Sequence, residues 1–283
     1  MLKQIIFIAG VILILRPAFL AGQWNREQVN SLFSELDRSF KGEEPLTPED
    51  EYYLGRAVAA SILAVYKPYT ENSGLTNYLN LICQALVINS DRPAVFNSYR
   101  VMVLDSGEPN AFSTPGGHIF ITKGLLDIVT SEDALAGIIA HELAHVMLKH
   151  GLKIIDDMKI VSEADIMARQ ARAFAGNSGT KILSFRDSVN EIFNSMIKSG
   201  YSQPQEYEAD TLALKLLADA GYPPGGLLEI LDTLKTVRDG GINSTHPSPA
   251  RRIANIERLI FPRGAPDNRS FRQERFRKIM ERN

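Results

Sequence analysis

Cysteine is nearly absent from this 283-residue chain, and Cys83 is the only one. No internal disulfide can therefore hold the fold. With no basic neighbour in sequence to lower its pKa, Cys83 reads as a small buried hydrophobe and not as a reactive thiol. Charge of one sign is missing too. The formal net charge is −2, which supplies no general attraction to nucleic acid. Low-complexity tracts and internal repeats are lacking as well. With 45% hydrophobic residues, the chain has the means to bury one sizeable core.

Long apolar runs are scarce. The one candidate, residues 5–15 after Met1-Leu2-Lys3, is 11 residues long, and Arg16-Pro17 ends it. A membrane helix needs roughly 20 apolar residues, whereas 11 behind a basic start is the length of a signal-peptide core. The expectation is a signal peptide over 1–22, cleaved near Ala21 or Gly22, with export to the periplasm. An uncleaved segment anchoring the chain in the inner membrane is the alternative. Gln23 stands where a lipid-anchored chain would carry Cys, so any other membrane contact is expected to be peripheral. Residues 23–44 are polar and mixed, and read as an N-terminal arm.

Histidine is also rare, five residues in all, yet two of them stand four apart with a glutamate between. His141-Glu142-Leu143-Ala144-His145 is the H-E-x-x-H pattern. On a helix, positions i and i+4 are offset by about 40° and rise about 6 Å, so both imidazoles can reach one tetrahedral Zn²⁺. Glu142 then lies beside the ion, where its carboxylate can act as general base on water. Thr130-Ser131-Glu132-Asp133 provides the cap and acids of a helix start. Leu135, Ile138, Ile139, Leu143, Met147 and Leu148 leave little polar face, which predicts a helix buried nearly all round. Buried His and Glu without partners would each cost several kcal/mol, and a bound metal satisfies them.

Two histidines leave the ion one protein ligand short. A metzincin would carry Gly at 148 and His at 151. Leu148 and Gly151 stand there instead, with His150 one residue early, so that spacing fails. The acids of Glu206-Tyr207-Glu208-Ala209-Asp210 precede an apolar helical run. Glu206 and Asp210 share the face of Ala213 and Leu217, while Glu208 points to the side of Lys215. Glu206 is thus the expected third ligand, and Asp210 is placed to accept the free ring N–H of a zinc histidine. An exposed helix start favoured by the dipole is the plainer reading of both acids.

With these residues in view, the chain resembles family forty-eight of the metallopeptidases, the gluzincin zinc endopeptidases of the CAAX prenyl protease, HtpX and BepA group. It is most similar in kind to their soluble periplasmic branch. The resemblance rests on Asn110-Ala111-Phe112-Ser113-Thr114-Pro115-Gly116-Gly117, on H-E-L-A-H at 141–145, on Glu206 to Asp210, and on Ser244-Thr245-His246-Pro247 followed by Arg252. It covers about residues 45–260. Gln203-Pro204 replaces the basic residue these enzymes often carry before the ligand Glu, and no tetratricopeptide array follows. The resemblance implies that the backbone of Asn110, Ala111, Phe112 and Ser113 receives substrate as an added strand. It also implies that His246 and Arg252 lie near the metal as catalytic residues. Two roles stay open for His246: donor to the oxyanion of the tetrahedral intermediate, or a fourth ligand that holds the enzyme latent.

The remaining pattern predicts an α+β fold, mostly helical, with a small sheet of three to four strands. Thr47-Pro48-Glu49-Asp50 starts a helix with a stripe of Leu54, Val58, Ile62 and Val65. A second helix over 75–88 carries Leu75, Tyr78, Leu79, Ile82 and Leu86. Strands are expected at 99–104, 110–112 and 118–122. His118 reads as a surface or sheet-packing residue. Residues 152–200 read as a helical pair over the core, or as a lid over the cleft. The basic tail at 261–283 reads as a solvated helix outside a metallopeptidase domain at 45–260. The function expected is a zinc metalloendopeptidase, one Zn²⁺ per chain, acting on unfolded or misfolded envelope proteins. A latent, zinc-stabilised binding or chaperone-like protein is the alternative.

Overall fold

The computed structural model describes residues 47–154, 193–195, 200–237, 246, 248–259 and 269–281. The expected signal peptide and arm, most of the 152–200 segment and the glycine-rich stretch before His246 lie outside these residues. Helix α1, Pro48–Val65, begins with proline in its first turn, where no N–H partner is needed. Its Leu54, Val58 and Ile62 are fully buried, whereas Val65 is 64% exposed. The apolar stripe therefore stops one turn before the periodicity predicts. Helix α2, Ser73–Val87, is capped by the Asn72 side chain, which accepts from the Leu75 N–H, and it buries Leu75, Tyr78, Leu79, Ile82, Cys83 and Leu86.

Three strands follow: β1 (Arg100–Leu104), β2 (Ala111–Thr114) and β3 (His118–Thr122). The sheet order is β1-β3-β2, with β3 parallel to β1 and antiparallel to β2. The chain runs out along β1, turns back through β2, and reverses over Pro115–Gly117 so that β3 slots between them. Among the described residues, that leaves β2 on an edge of the sheet. Side chains on β3 alternate between two cores: Ile119 and Ile121 join the larger one with the later helices, and Phe120 joins Leu54, Ile62 and Phe112 under α1. Between α1 and the reversal there is no room for a side chain, because a Cβ on Gly55 would sit 1.7 Å from the Pro115 carbonyl oxygen.

After the short helix α3 (Lys123–Leu126) comes α4, Glu132–Met147, whose Ser131 cap accepts from the Ala134 N–H. Every residue of α4 from Glu132 to Val146 is buried. Helices α5 (Gln203–Asp219) and α6 (Gly225–Leu234) pack against it. Gly137 allows the α6 approach, since a Cβ there would lie 2.9 Å from the Leu227 backbone. Helices α7 (Pro249–Ile256) and α8 (Arg269–Met280) complete the described chain.

Helix α8 departs from the solvated tail expected from its charge. Phe276 is buried in the larger core, Arg272 pairs with Asp133 at 2.5 Å, and Arg275 pairs with Glu132. The acids of the first turn of α4 are thus neutralised by cations far along the chain. Five of the twelve α8 residues are Arg or Lys, which hides one apolar anchor among solvated neighbours.

The Gly55 contact yields the first expected outcome. Gly55→Ala must displace the reversal between β2 and β3, an overpacking cost of about 1–3 kcal/mol. A urea denaturation midpoint unchanged from wild type would contradict this placement of the turn.

Candidate metal centre

Helix α4 has no solvent face, so its polar residues meet only what the other elements bring to them. His141 and His145, one turn apart, place their Nε2 atoms 3.0 Å from each other. From α5, Glu206 sits with Oε2 3.5 Å from His141 Nε2 and Oε1 3.4 Å from His145 Nε2. The α5 start that carries it is fixed by Gln205, whose side-chain oxygen accepts from the Ser202 N–H at 2.9 Å. The small Ala213, fully buried on the same face, lets α5 come close to α4. His246 enters from the segment before α7, with Nδ1 2.8 Å from Glu206 Oε1 and Nε2 3.8 Å from Glu142 Oε1.

One donor atom from each of His141, His145, Glu206 and His246 lies within 4.8 Å of all the others, and all four residues are buried. Zinc–ligand bonds of about 2.0–2.1 Å give tetrahedral edges of about 3.3 Å. The measured separations of 3.0, 3.4 and 3.5 Å bracket that edge. Glu206 Oε2 and Glu142 Oε2 are buried with no hydrogen-bond partner, as a carboxylate waiting for a cation and one waiting for a proton would be. Two imidazoles and a carboxylate are also the donor types zinc takes, so the residues present fit the ion.

Behind the donors lies a charge-balanced support. Asp210 Oδ1 is 3.1 Å from His141 Nδ1. Arg252 grips Asp210 with two hydrogen bonds, Nε to Oδ2 at 3.0 Å and Nη2 to Oδ1 at 2.6 Å, and its Nη1 lies 3.4 Å from Glu206 Oε2. Burial works against ionising Glu206, but His246, Arg252 and the hydrogen bonds of His141 and His145 outweigh it and hold the carboxyl well below its usual range. Asp210 is likewise buried and held low, chiefly by Arg252. Burial and the Arg252 charge oppose protonation of His141, yet hydrogen bonds to Asp210 and Glu206 prevail and lift its ring to about 9.

Residues of the expected substrate strand form one side of the site. Asn110, Ala111, Phe112 and Ser113 are all buried. Ser113 Oγ donates to the Glu142 carbonyl at 3.1 Å, which ties β2 to the histidine helix. Phe112 turns toward Tyr66 and Phe120 under α1, so this strand directs side chains into the protein. Glu208 lies away from the donors, its side chain 55% exposed. His118 stacks on Tyr52 at 5.3 Å between ring centres, a packing residue of the sheet, and burial pushes it down to about 4.

Two residues that the pattern did not single out reach the centre. Tyr201 lies flat against His145, ring centres 3.9 Å apart and planes 15° from parallel. Burial, then the charges of Glu142 and Glu206, push its hydroxyl well above the usual range. Nothing in its local sequence marks it. His150 is fully buried, with Nδ1 2.9 Å from His145 Nδ1 and Nε2 3.1 Å from Glu208 Oε2. It was visible as a rare histidine, but helical spacing could not bring it there. Lys149 breaks the helix in the left-handed region at φ 58°, turning the chain back on itself.

A sequence model of peptidase family M48 matches residues 74–260, well over half of the chain. The chain belongs to peptidase family M48. Among curated M48 relatives, the mitochondrial metalloendopeptidase OMA1 of Schizosaccharomyces pombe is 30% identical over 57% of this chain and 47% of its own length. Metalloprotease LoiP of Escherichia coli is 29% identical over 65% of this chain and 70% of its own. The Beta-barrel assembly-enhancing protease of Escherichia coli is 24% identical over 66% and 39%. This M48 chain thus spans about half the length of the OMA1 relatives it matches.

The two acids of α5 separate by experiment. Glu206→Ala is expected to lose bound zinc on dialysis, whereas Glu208→Ala keeps it, because only Glu206 faces the other donors. Metal analysis of the two purified variants giving the reverse order would move the ligand.

Proposed function

We propose that this chain is a zinc-dependent metalloendopeptidase that cleaves unfolded or misassembled proteins of the cell envelope. The observation that carries the reading is Glu142: a buried carboxylate oxygen without a partner, beside three donors at zinc-ligand separations. His141, His145 and Glu206 would hold the ion. Zinc, when bound there, supplies the positive charge that polarises the scissile carbonyl and acidifies water. Glu142 takes the proton of the attacking water and delivers it to the leaving amine. Asp210 keeps the His141 ring oriented. Arg252 contacts Asp210, Glu206 and the His141 ring, and so positions those groups around the ion.

Substrate would lie along β2, which among the described residues pairs with β3 alone and is bonded to α4 at Glu142. Backbone pairing of an added strand needs an extended peptide and reads little of its sequence, which suits unfolded protein as substrate. The name of the Beta-barrel assembly-enhancing protease, with the signal-like residues 5–15, supports the periplasm as the place of action. No helix of the described residues is long and apolar enough to cross a membrane.

The described state is closed. His141, Glu142, His145, Glu206 and His246 are each 6% exposed or less. The cavity bordered by Ser113, Thr114, His145 and Tyr201 is about 10 Å³, space for roughly one water. Of the two roles for His246, the latch is favoured because its ring already stands among the donors. A histidine there leaves no open position for substrate, as a catalytic zinc requires. On this reading the chaperone-like alternative describes the resting state of a peptidase.

Purified protein should cleave an unfolded polypeptide, and a chelator should stop it. Glu142→Gln keeps zinc but loses roughly 10²–10⁴-fold in turnover, since an amide cannot take the proton. Wild-type turnover by that variant would remove Glu142 from the reaction. His246→Ala raises turnover if the ring is a latch, and a fall with zinc content unchanged would restore the oxyanion-donor role.

A further inference from the structure

We propose that His150 is a positioning residue for the metal centre: it accepts the Nδ1–H of His145 and so aims the lone pair of His145 Nε2 at the ion. The role rests on the proposed zinc site. His145 Nδ1 and His150 Nδ1 are 2.9 Å apart, and both rings are buried. Two neutral imidazoles at that distance share one proton, so one nitrogen donates and the other accepts. The far side of His150 decides which. Its Nε2 lies 3.1 Å from Glu208 Oε2, and an ionised carboxylate only accepts. His150 Nε2 therefore carries the proton, His150 Nδ1 is bare, and His145 Nδ1 must donate to it. His145 Nε2 is left with its lone pair 3.0 Å from His141 Nε2 and 3.4 Å from Glu206 Oε1, among the metal donors.

The two zinc histidines are thus oriented by different means. His141 faces a buried carboxylate, Asp210, whose charge Arg252 balances. No second buried guanidinium stands behind His145 among the described residues. A carboxylate in place of His150 would put another negative charge beside Glu206 in a dry site. A neutral imidazole makes the same hydrogen bond without that charge, and it hands the anionic end to Glu208, half exposed at the rim.

The backbone is shaped to deliver this ring. A continuous helix would carry position 150 about 140° around the axis from position 145. Instead, Lys149 adopts φ 58° and anchors its ammonium on Glu51 Oε1 at 2.5 Å. Glu51 also holds Arg92 at 2.7 Å. A bulky residue is strained in the left-handed region, and here it is accompanied by the ion pair to buried Glu51.

The test uses the full chain. Nitrogen-15 NMR of the metal-free protein should show the His145 ring protonated at Nδ1 and the His150 ring at Nε2, and the opposite tautomer at His145 overturns the proposal. Zinc titration against a competing chelator should then show His150→Phe binding roughly 10–100-fold more weakly. His150→Asn should recover most of that loss, because its side-chain oxygen can accept the same N–H. Glu208→Ala should lose less than His150→Phe, since water reaches its position. Equal zinc affinity for wild type and His150→Phe overturns the role of His150. Absence of zinc binding by the wild-type chain overturns the proposed function instead, while the tautomer measurement still decides for or against His150.

Discussion

One helix with no face toward water sets the terms for the whole molecule. Helix α4 carries two histidines and three acids into the interior, where each would cost several kcal/mol if left unpaired. The surrounding elements can be understood as answers to that cost. Helix α5 brings Glu206 and Asp210 to the histidines, α7 brings Arg252 to those acids, and α8 brings Arg272 and Arg275 to Asp133 and Glu132. Two tyrosines, Tyr78 and Tyr222, add hydroxyl donors to Glu132 at 2.7 and 2.8 Å. Among the described residues, Glu142 Oε2 and Glu206 Oε2 at the donor cluster are buried without a hydrogen-bond partner.

Much of this was legible in the chain because it depends on periodicity. Helical spacing placed His141 with His145, and Glu206 with Asp210, on common faces, and the structure brings those four residues together. The core residues of α1 and α2 followed from the same rule, with Val65 the exception at a helix end. The mixed fold with a small sheet was readable from β-branched runs and turn residues. The order of its strands was not, because a β3 inserted between β1 and β2 is a property of long-range pairing and leaves no local mark.

Residues that reached the centre by breaking periodicity were the ones missed. His150 counted against the metzincin spacing and was set aside, since no helical projection predicts a left-handed Lys149. Tyr201 precedes α5 and touches His145 only through the tertiary fold. For α8, composition misled: a string of arginines signals solvent unless one knows that two buried acids await them. His246 and Arg252 came from family resemblance alone, and their contacts show why spacing was silent. Both arrive more than thirty residues after Glu206, on elements whose approach is set by α6 and α7.

The pairing of Arg275 with Glu132 bridges 143 positions of sequence. During synthesis α4 emerges long before α8, so Glu132 would enter a nascent core with tyrosine hydroxyls and the helix dipole but no counter-charge. Closing a contact of such high order costs loop entropy, and the Arg275 counter-charge reaches Glu132 only once α8 has docked. A chain still in transit, or one cut short before α8, would carry all its metal donors and yet lack the frame that holds them.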